Sequence, residues 1–127
     1  MATRQILLGH ANPTGYSFKG NRTLNVLGGL MADSVRVALN GQWADYVFDD
    51  NYQLKPLEEV NQFIKANRHL PGIPSAAEVK ANGIELGEMN TKLLSKIEEL
   101  TLYLLQLQEQ NKLLIQRLER LEQKSSQ

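Results

Sequence analysis

The chain has no cysteine and only two histidines, and these shortages limit the chemistry open to it. Without cysteine it forms neither disulfides nor thiolate metal sites, and His10 and His69 lie too far apart for a zinc-binding motif. Its 14 basic and 14 acidic side chains cancel, so no attraction to nucleic acid or to an anionic membrane is indicated. We therefore expect no metal, no cofactor and no nucleic-acid partner.

Long apolar runs are also missing. The first residues offer only Ile6, Leu7 and Leu8 before Gly9, which is far short of a signal-peptide core or a membrane helix. We predict no membrane insertion, and we expect either that the chain is not exported or that an export signal has been removed from it.

Candidate catalytic residues lack the spacing that catalysis needs. Asp45, Asp49, Asp50 and Glu58 include no pair placed at catalytic separation, and acidic residues near a helix start have a capping role. Gly28-Gly29 lacks the glycine pattern of a dinucleotide-binding loop and predicts a hairpin turn instead. The sequence therefore predicts no catalytic residue, and we expect the protein not to be an enzyme.

Heptads dominate the last third of the chain, residues 86–121. With Ile97 at an a position, leucines fill the d positions, and the a positions hold leucine, isoleucine and two asparagines. A single helix cannot bury such a stripe, so partner helices are required. The predicted interface consists of Leu86, Asn90, Leu93, Ile97, Leu100, Leu104, Leu107, Asn111, Leu114, Leu118 and Leu121.

The number of chains follows less directly from these heptads. Asn90 and Asn111 at a positions favour two strands and fix the register, although they are also compatible with tolerated polar interruptions. Apolar residues at the flanking e and g positions widen the stripe, as three or more helices would require. These flanking residues are Met89, Leu94, Tyr103 and Ile115.

The residues before the coil divide into two segments, residues 1–42 and 43–85. In the first, Leu24 and Val26 alternate before Gly28-Gly29, and Val35, Val37 and Leu39 alternate after it, which predicts two short strands. A lone hairpin is marginally stable in water, so we expect these strands to pair between chains brought together by the coil.

The second segment, residues 43–85, predicts two short helices. Apolar spacing after Pro56 predicts a helix over Leu57–Asn67, and a Ser75 to Glu78 capping box followed by Asn82-Gly83 predicts another over residues 76–81. Between them we expect His69 to pack or hydrogen-bond at the Pro-Gly-Ile-Pro corner. The coil then spans residues 86–123, and residues 124–127 form a disordered tail.

Some apolar residues lie outside the predicted seam. Trp43, Tyr46, Phe48 and Tyr52 are expected to pack together at a junction or to form a docking surface for a protein or glycan. Leu102, Leu105 and Leu113 occupy outer heptad positions, where they either dock a partner or are covered by the upstream residues.

Five sequence blocks in one order resemble the C-terminal module of tail-fibre-like surface proteins common in Bacteroidetes. They are WADYVF at residues 43–48, LEEV at 57–60, HLPGIPS at 69–75, LGEMN at 86–90 and KIEELTLY at 96–103. The resemblance covers about residues 24–107 and implies a trimeric, fibre-like, extracellular or virion-associated protein. We accordingly expect an α+β fold, with short β-strands, short helices and a long parallel coiled coil, in an elongated homotrimer.

The expected function is structural: the chain sets the number and register of copies and anchors or presents an adhesive assembly. One alternative is an accessory subunit that binds a larger secreted adhesin, of the kind that gliding bacteria carry at their surface. Another is a self-cleaving tail-fibre chaperone, which uses a serine with a nearby lysine; Ser34 with Arg36 and Ser95 with Lys96 are the nearest candidates here. Neither pair resembles that family's arrangement, and Ser95 lies on the outer face of the predicted coil.

Overall fold

The structure, a computed structural model, describes residues 6–8, 24–39, 41 and 43–127, and the described part is mostly helical. Two strands, β1 (Ile6–Leu8) and β2 (Leu24–Val26), precede three helices. The helices are α1 (Leu57–Asn67), α2 (Ala76–Asn82) and the long α3 (Leu86–Ser125). The chain divides into two compact units, Met1–Val37 and Ala38–Gln127.

The strand pair in the first unit differs from the predicted hairpin. β2 pairs in parallel with β1, with Ile6 opposite Leu24 and Leu8 opposite Val26. Within residues 27–39 the structure describes no strand, so the predicted second strand at Val35 to Leu39 is wrong. Val35 is 64% exposed and Val37 47% exposed, so their alternation gives no buried face that would favour strand pairing. Pairing between chains stays a prediction.

Local signals determine both short helices. α1 carries Glu58 and Glu59 in its first turn, where the helix dipole favours negative charge, and it ends at Arg68 with φ +63°. α2 begins with the predicted capping box: Glu78 N–H donates to Ser75 Oγ at 3.2 Å, and Ser75 N–H donates to Glu78 Oε2 at 2.7 Å. It ends at Gly83, whose φ of +69° suits glycine, so the predicted limits of both helices are confirmed within one residue.

α3 has 40 residues and is about 60 Å long. It begins at the predicted Leu86, and it runs two residues beyond the predicted end of the coil at Gln123. Lys124 and Ser125 therefore belong to the helix and not to a disordered tail. No glycine or proline stops the helix there, and Ser126 N–H still donates to Glu122 O at 3.1 Å.

The best-buried apolar residues of the second unit lie just before α1. A short 3₁₀ turn, Tyr46–Phe48, packs against α3. Beside it Ala44 is 0% exposed and Val47 is 1% exposed. Residues 43–85 and α3 thus fold as one unit, although the sequence indicated two separate segments.

Candidate self-assembly interface

One stripe along α3 is uncovered. Leu100 is 58% exposed and Leu104 is 65% exposed, although both are large apolar side chains at seam positions. All the other predicted interface residues are exposed as well: Leu86, Asn90, Leu93, Ile97, Leu107, Asn111, Leu114, Leu118 and Leu121. The structure thus brings the predicted seam residues onto one open face of a single helix.

The other faces of α3 are largely covered over residues 86–103, where only Glu88 and Thr101 are exposed outside the seam. Gly87, Ser95 and Glu98 are buried there, and Leu94 and Leu102 are partly buried. Seam residues recur every three or four positions, and successive helical residues are about 100° apart. The exposed seam of this stretch therefore lies within an arc of about 100° around the helix axis. We call residues 86–103 the covered half of α3.

Residues 104–125 form the bare half of α3, in which every residue is exposed. Besides the seam, this half exposes apolar side chains at outer heptad positions. Leu105 is 55% exposed and Leu113 is 49% exposed. The upstream residues therefore partly cover Leu102 but leave Leu105 and Leu113 open.

The aromatic cluster is less compact than the sequence suggested. Trp43 is 50% exposed and Phe48 is 55% exposed, and only Tyr46 and Tyr52 are in ring contact, with centroids 6.0 Å apart. The small residues between these aromatic side chains, Ala44 and Val47, take the buried positions instead. Trp43 and Phe48 are therefore surface residues available for contact with another molecule.

Hydrogen bonds of Tyr52 and Tyr103 hold the residues before α1 against α3. The Tyr52 hydroxyl donates to Glu99 Oε1 at 2.5 Å, and Lys96 Nζ donates to both oxygens of the same carboxylate at 2.8 and 2.9 Å. The Tyr103 hydroxyl donates to the carbonyl oxygen of Lys55 at 2.6 Å. Burial and the hydrogen bond to Glu99 raise the pKa of Tyr52, and burial and the charge of Glu99 raise the pKa of Tyr103.

A cavity of about 120 Å³ adjoins these tyrosines. Its walls come from the residues before α1, from α1, from the loop after α1 and from α3, and they include the seam residue Leu100. The remaining lining residues are Tyr52, Gln53, Lys55, Val60, Leu70, Pro71, Lys96, Glu99 and Tyr103. A helix lying on the seam would therefore also lie beside this cavity.

A carboxyl pair joins the 3₁₀ turn to the covered half, and sequence reasoning missed it. Glu98 is only 6% exposed and its Oε2 atom has no hydrogen-bond partner in the described part of the chain. The side chain of Asp45, whose φ is +26°, is hydrogen-bonded to Glu98. Burial and the neighbouring Asp45 raise the pKa of Glu98. Glu98 at an outer heptad position gave no signal, because such positions are usually solvated.

The candidate residues His69 and Ser95 both have ordinary structural contacts. His69 Nδ1 lies 3.0 Å from Leu70 O, and its ring meets that of Phe63 edge-on at 5.4 Å, as predicted for the corner. Ser95 is 5% exposed and donates to Lys92 O at 2.7 Å, so it is covered and not, as expected, open on the outer face of the coil. Lys96 is engaged with Glu99.

No family model matches this chain, and neither a curated protein nor a solved structure is significantly similar to it. The resemblance to the C-terminal module of tail-fibre-like proteins therefore depends on the quoted blocks alone. Across residues 6–8, 24–39, 41 and 43–127, no helix combines the length and the apolar character needed to cross a membrane.

Proposed function

We propose that the chain is a self-assembly module whose copies associate through the seam of α3 into a parallel coiled coil. The observation that carries this proposal is the contrast around the covered half. The upstream residues of the same chain cover the outer faces there, and the leucine-rich seam is left open. A second copy of the same helix is the partner that a self-complementary heptad pattern fits.

The energies favour association. Burying one exposed leucine side chain is worth about 2 kcal/mol. Bringing molecules together costs roughly 4 to 15 kcal/mol in lost motional freedom. The nine apolar seam residues of each chain together outweigh that cost, provided that the copies align in register. Asn90 and Asn111, both exposed at a positions, favour that alignment because each can pair with its own counterpart.

We further propose three chains, with two as the alternative. The cavity beside Leu100 supports three, since the neighbouring helices of a trimer extend further around each seam than the single partner of a dimer. The partly buried flanking residues Met89, Leu94 and Tyr103 already contribute apolar surface next to the seam. The sequence resemblance also implies a trimer.

The place and role of the assembly follow from the resemblance. We propose that the protein belongs to an extracellular or virion-associated fibre-like structure, which it anchors or presents, and that it is not an enzyme. A second candidate role is an accessory subunit that binds a larger surface adhesin. The exposed Trp43, Phe48, Leu105 and Leu113 favour this second role, because they lie outside the seam and stay available after assembly.

Two adjacent leucines provide a matched test of the assembly. Leu104 occupies an a position and is 65% exposed, whereas Leu105 occupies an outer position and is 55% exposed. We expect the wild-type chain to sediment as a multimer at micromolar concentration. Leu104→Asp should dissociate it, because a charge would be buried in the seam, and Leu105→Asp should leave it intact. A monomeric wild type, or equal behaviour of the two variants, would contradict the proposal.

A further inference from the structure

Two acidic side chains meet where the 3₁₀ turn contacts α3. Glu98 is more than nine-tenths buried, and its Oε2 atom is buried without a hydrogen-bond partner among the described residues. Asp45 is hydrogen-bonded to it from the start of the turn. Two ionised carboxylates accept hydrogen bonds but donate none, so this contact requires a proton on one of them.

Within the described part of the chain, the surroundings of Glu98 supply no cation that would replace that proton. Asp45 is the charged side chain that faces Glu98 from the 3₁₀ turn. On α3 itself the residues one turn away are Leu94, Ser95, Thr101 and Leu102, none of which titrates in the accessible range. Lys96 is already paired with Glu99. Ionisation of Glu98 would therefore place an unpaired charge beside Asp45 in a buried position.

The backbone is strained at Asp45, the residue before the 3₁₀ turn. Asp45 has a φ of +26°, which is unfavourable for a residue with a side chain. The turn stays in place through the buried Ala44 and Val47 and through the carboxyl contact. We propose that the proton on Glu98, at its contact with Asp45, controls whether the 3₁₀ turn is docked on the covered half of α3: the turn docks in acid and is released as Glu98 ionises.

The direction of this switch follows from linkage. The folded chain holds its Glu98 proton more tightly than the unfolded chain does. Docking is therefore fully favoured below the ordinary glutamate pKa of 4.5, and it weakens as pH rises through the raised pKa of Glu98. This is the reverse of an ordinary ion-paired carboxylate, which loses its contribution on acidification.

Trp43 provides the readout because it is the single tryptophan of the chain and lies two residues before Asp45. We would follow its fluorescence emission from pH 4 to pH 8 in the full chain, with sedimentation in the same buffers to record assembly. The wild type should show a change in emission with a midpoint above pH 4.5, because release of the turn changes the surroundings of Trp43. Glu98→Gln, which is neutral at every pH, should lose the transition.

Two further variants complete the test. Asp45→Asn removes the neighbouring charge and should move the midpoint to lower pH. Glu88→Gln, at an exposed glutamate of the same helix that pairs with Lys92, should leave the midpoint unchanged. A wild-type chain without a transition, a Glu98→Gln variant that titrates like wild type, or an equal loss in Glu88→Gln would overturn the proposal. The self-assembly proposal is unaffected by those outcomes, because it is measured by sedimentation.

Discussion

The two halves of α3 share one heptad pattern but differ in what surrounds them. In the covered half, residues 43–85 contribute Val47, the Tyr52 hydrogen bond and the Asp45 contact with Glu98, so the helix has tertiary support within its own chain. In the bare half every residue is exposed. Because most of the stability of helices in proteins comes from packing of an apolar face, we expect the bare half to be the less stable half in a single chain. The comparison shows that one heptad pattern can run through a helix whose tertiary contacts within the chain stop halfway.

The largest effect should come from breaking the seam in the bare half. Replacing Leu107 and Leu114 together with Asp should cost on the order of 5 kcal/mol or more, because the proposed assembly would lose two of its apolar layers. We expect a monomer in which residues 104–125 lose helix while residues 86–103 keep it, as measured by site-resolved hydrogen exchange. The matched control is Gln106→Asp with Leu113→Asp, at outer positions. Protection that persists along the whole helix in a monomer would show that the halves do not differ.

A smaller effect is expected from loosening the covered half. Val47 is 1% exposed, and Val47→Ala should lower the free energy of unfolding of residues 38–127 by about 2 kcal/mol through the cavity it leaves. Assembly should persist, because the seam is unchanged. Thermal unfolding followed by Trp43 fluorescence measures the loss. Val35→Ala, at a residue that is 64% exposed, is the control and should change little. Equal effects of the two substitutions would mean that Val47 adds nothing to the docking of the turn.

The smallest effects concern the tyrosine hydroxyls. Tyr52→Phe and Tyr103→Phe should each cost about 1 kcal/mol, because each removes one hydrogen bond. Because the pKa of Tyr52 is raised in the folded chain, its contribution to the free energy of unfolding should be fully present below pH 10. That contribution should fall as pH rises further. Tyr52→Phe should flatten that fall. Urea unfolding at neutral and alkaline pH measures the free energy of unfolding of both proteins. If it falls equally steeply with pH in Tyr52→Phe and in wild type, the contact between Tyr52 and Glu99 is contradicted.

The sequence predicted those parts of the fold that local signals determine. Pro56 with its following glutamates, the Ser75 capping box and the heptads located all three helices. Covering of the outer leucines by the upstream residues was one of two expectations, but its extent over residues 86–103 was not predicted, because heptads identify the seam and do not distinguish among the outer positions. Gly87 and Ser95, both small and close to the partly buried Leu94 and Leu102, were the available signal for a face that another segment packs upon.

For the strands, the sequence located β2 but not the segment that pairs with it. β2 was found at Leu24 and Val26 from alternation, but its partner was sought nearby at Val35 to Leu39 and lies at Ile6–Leu8. Alternation predicts that a segment can form a strand and does not specify what it pairs with. The carboxyl pair of Asp45 and Glu98 was missed for a similar reason, since 53 residues of sequence separation carry no pattern.

Residues 30–39 have a practical consequence for work with this protein. The structure assigns them to neither helix nor strand, and in them Leu30 is 71% exposed and Met31 is 98% exposed. Exposed apolar side chains in a segment without helix or strand increase the risk of aggregation. Asp33 and Arg36 are the charged gatekeepers within it. Neutralising either one should reduce solubility well before it alters the helices, so expression variants are best designed with both retained.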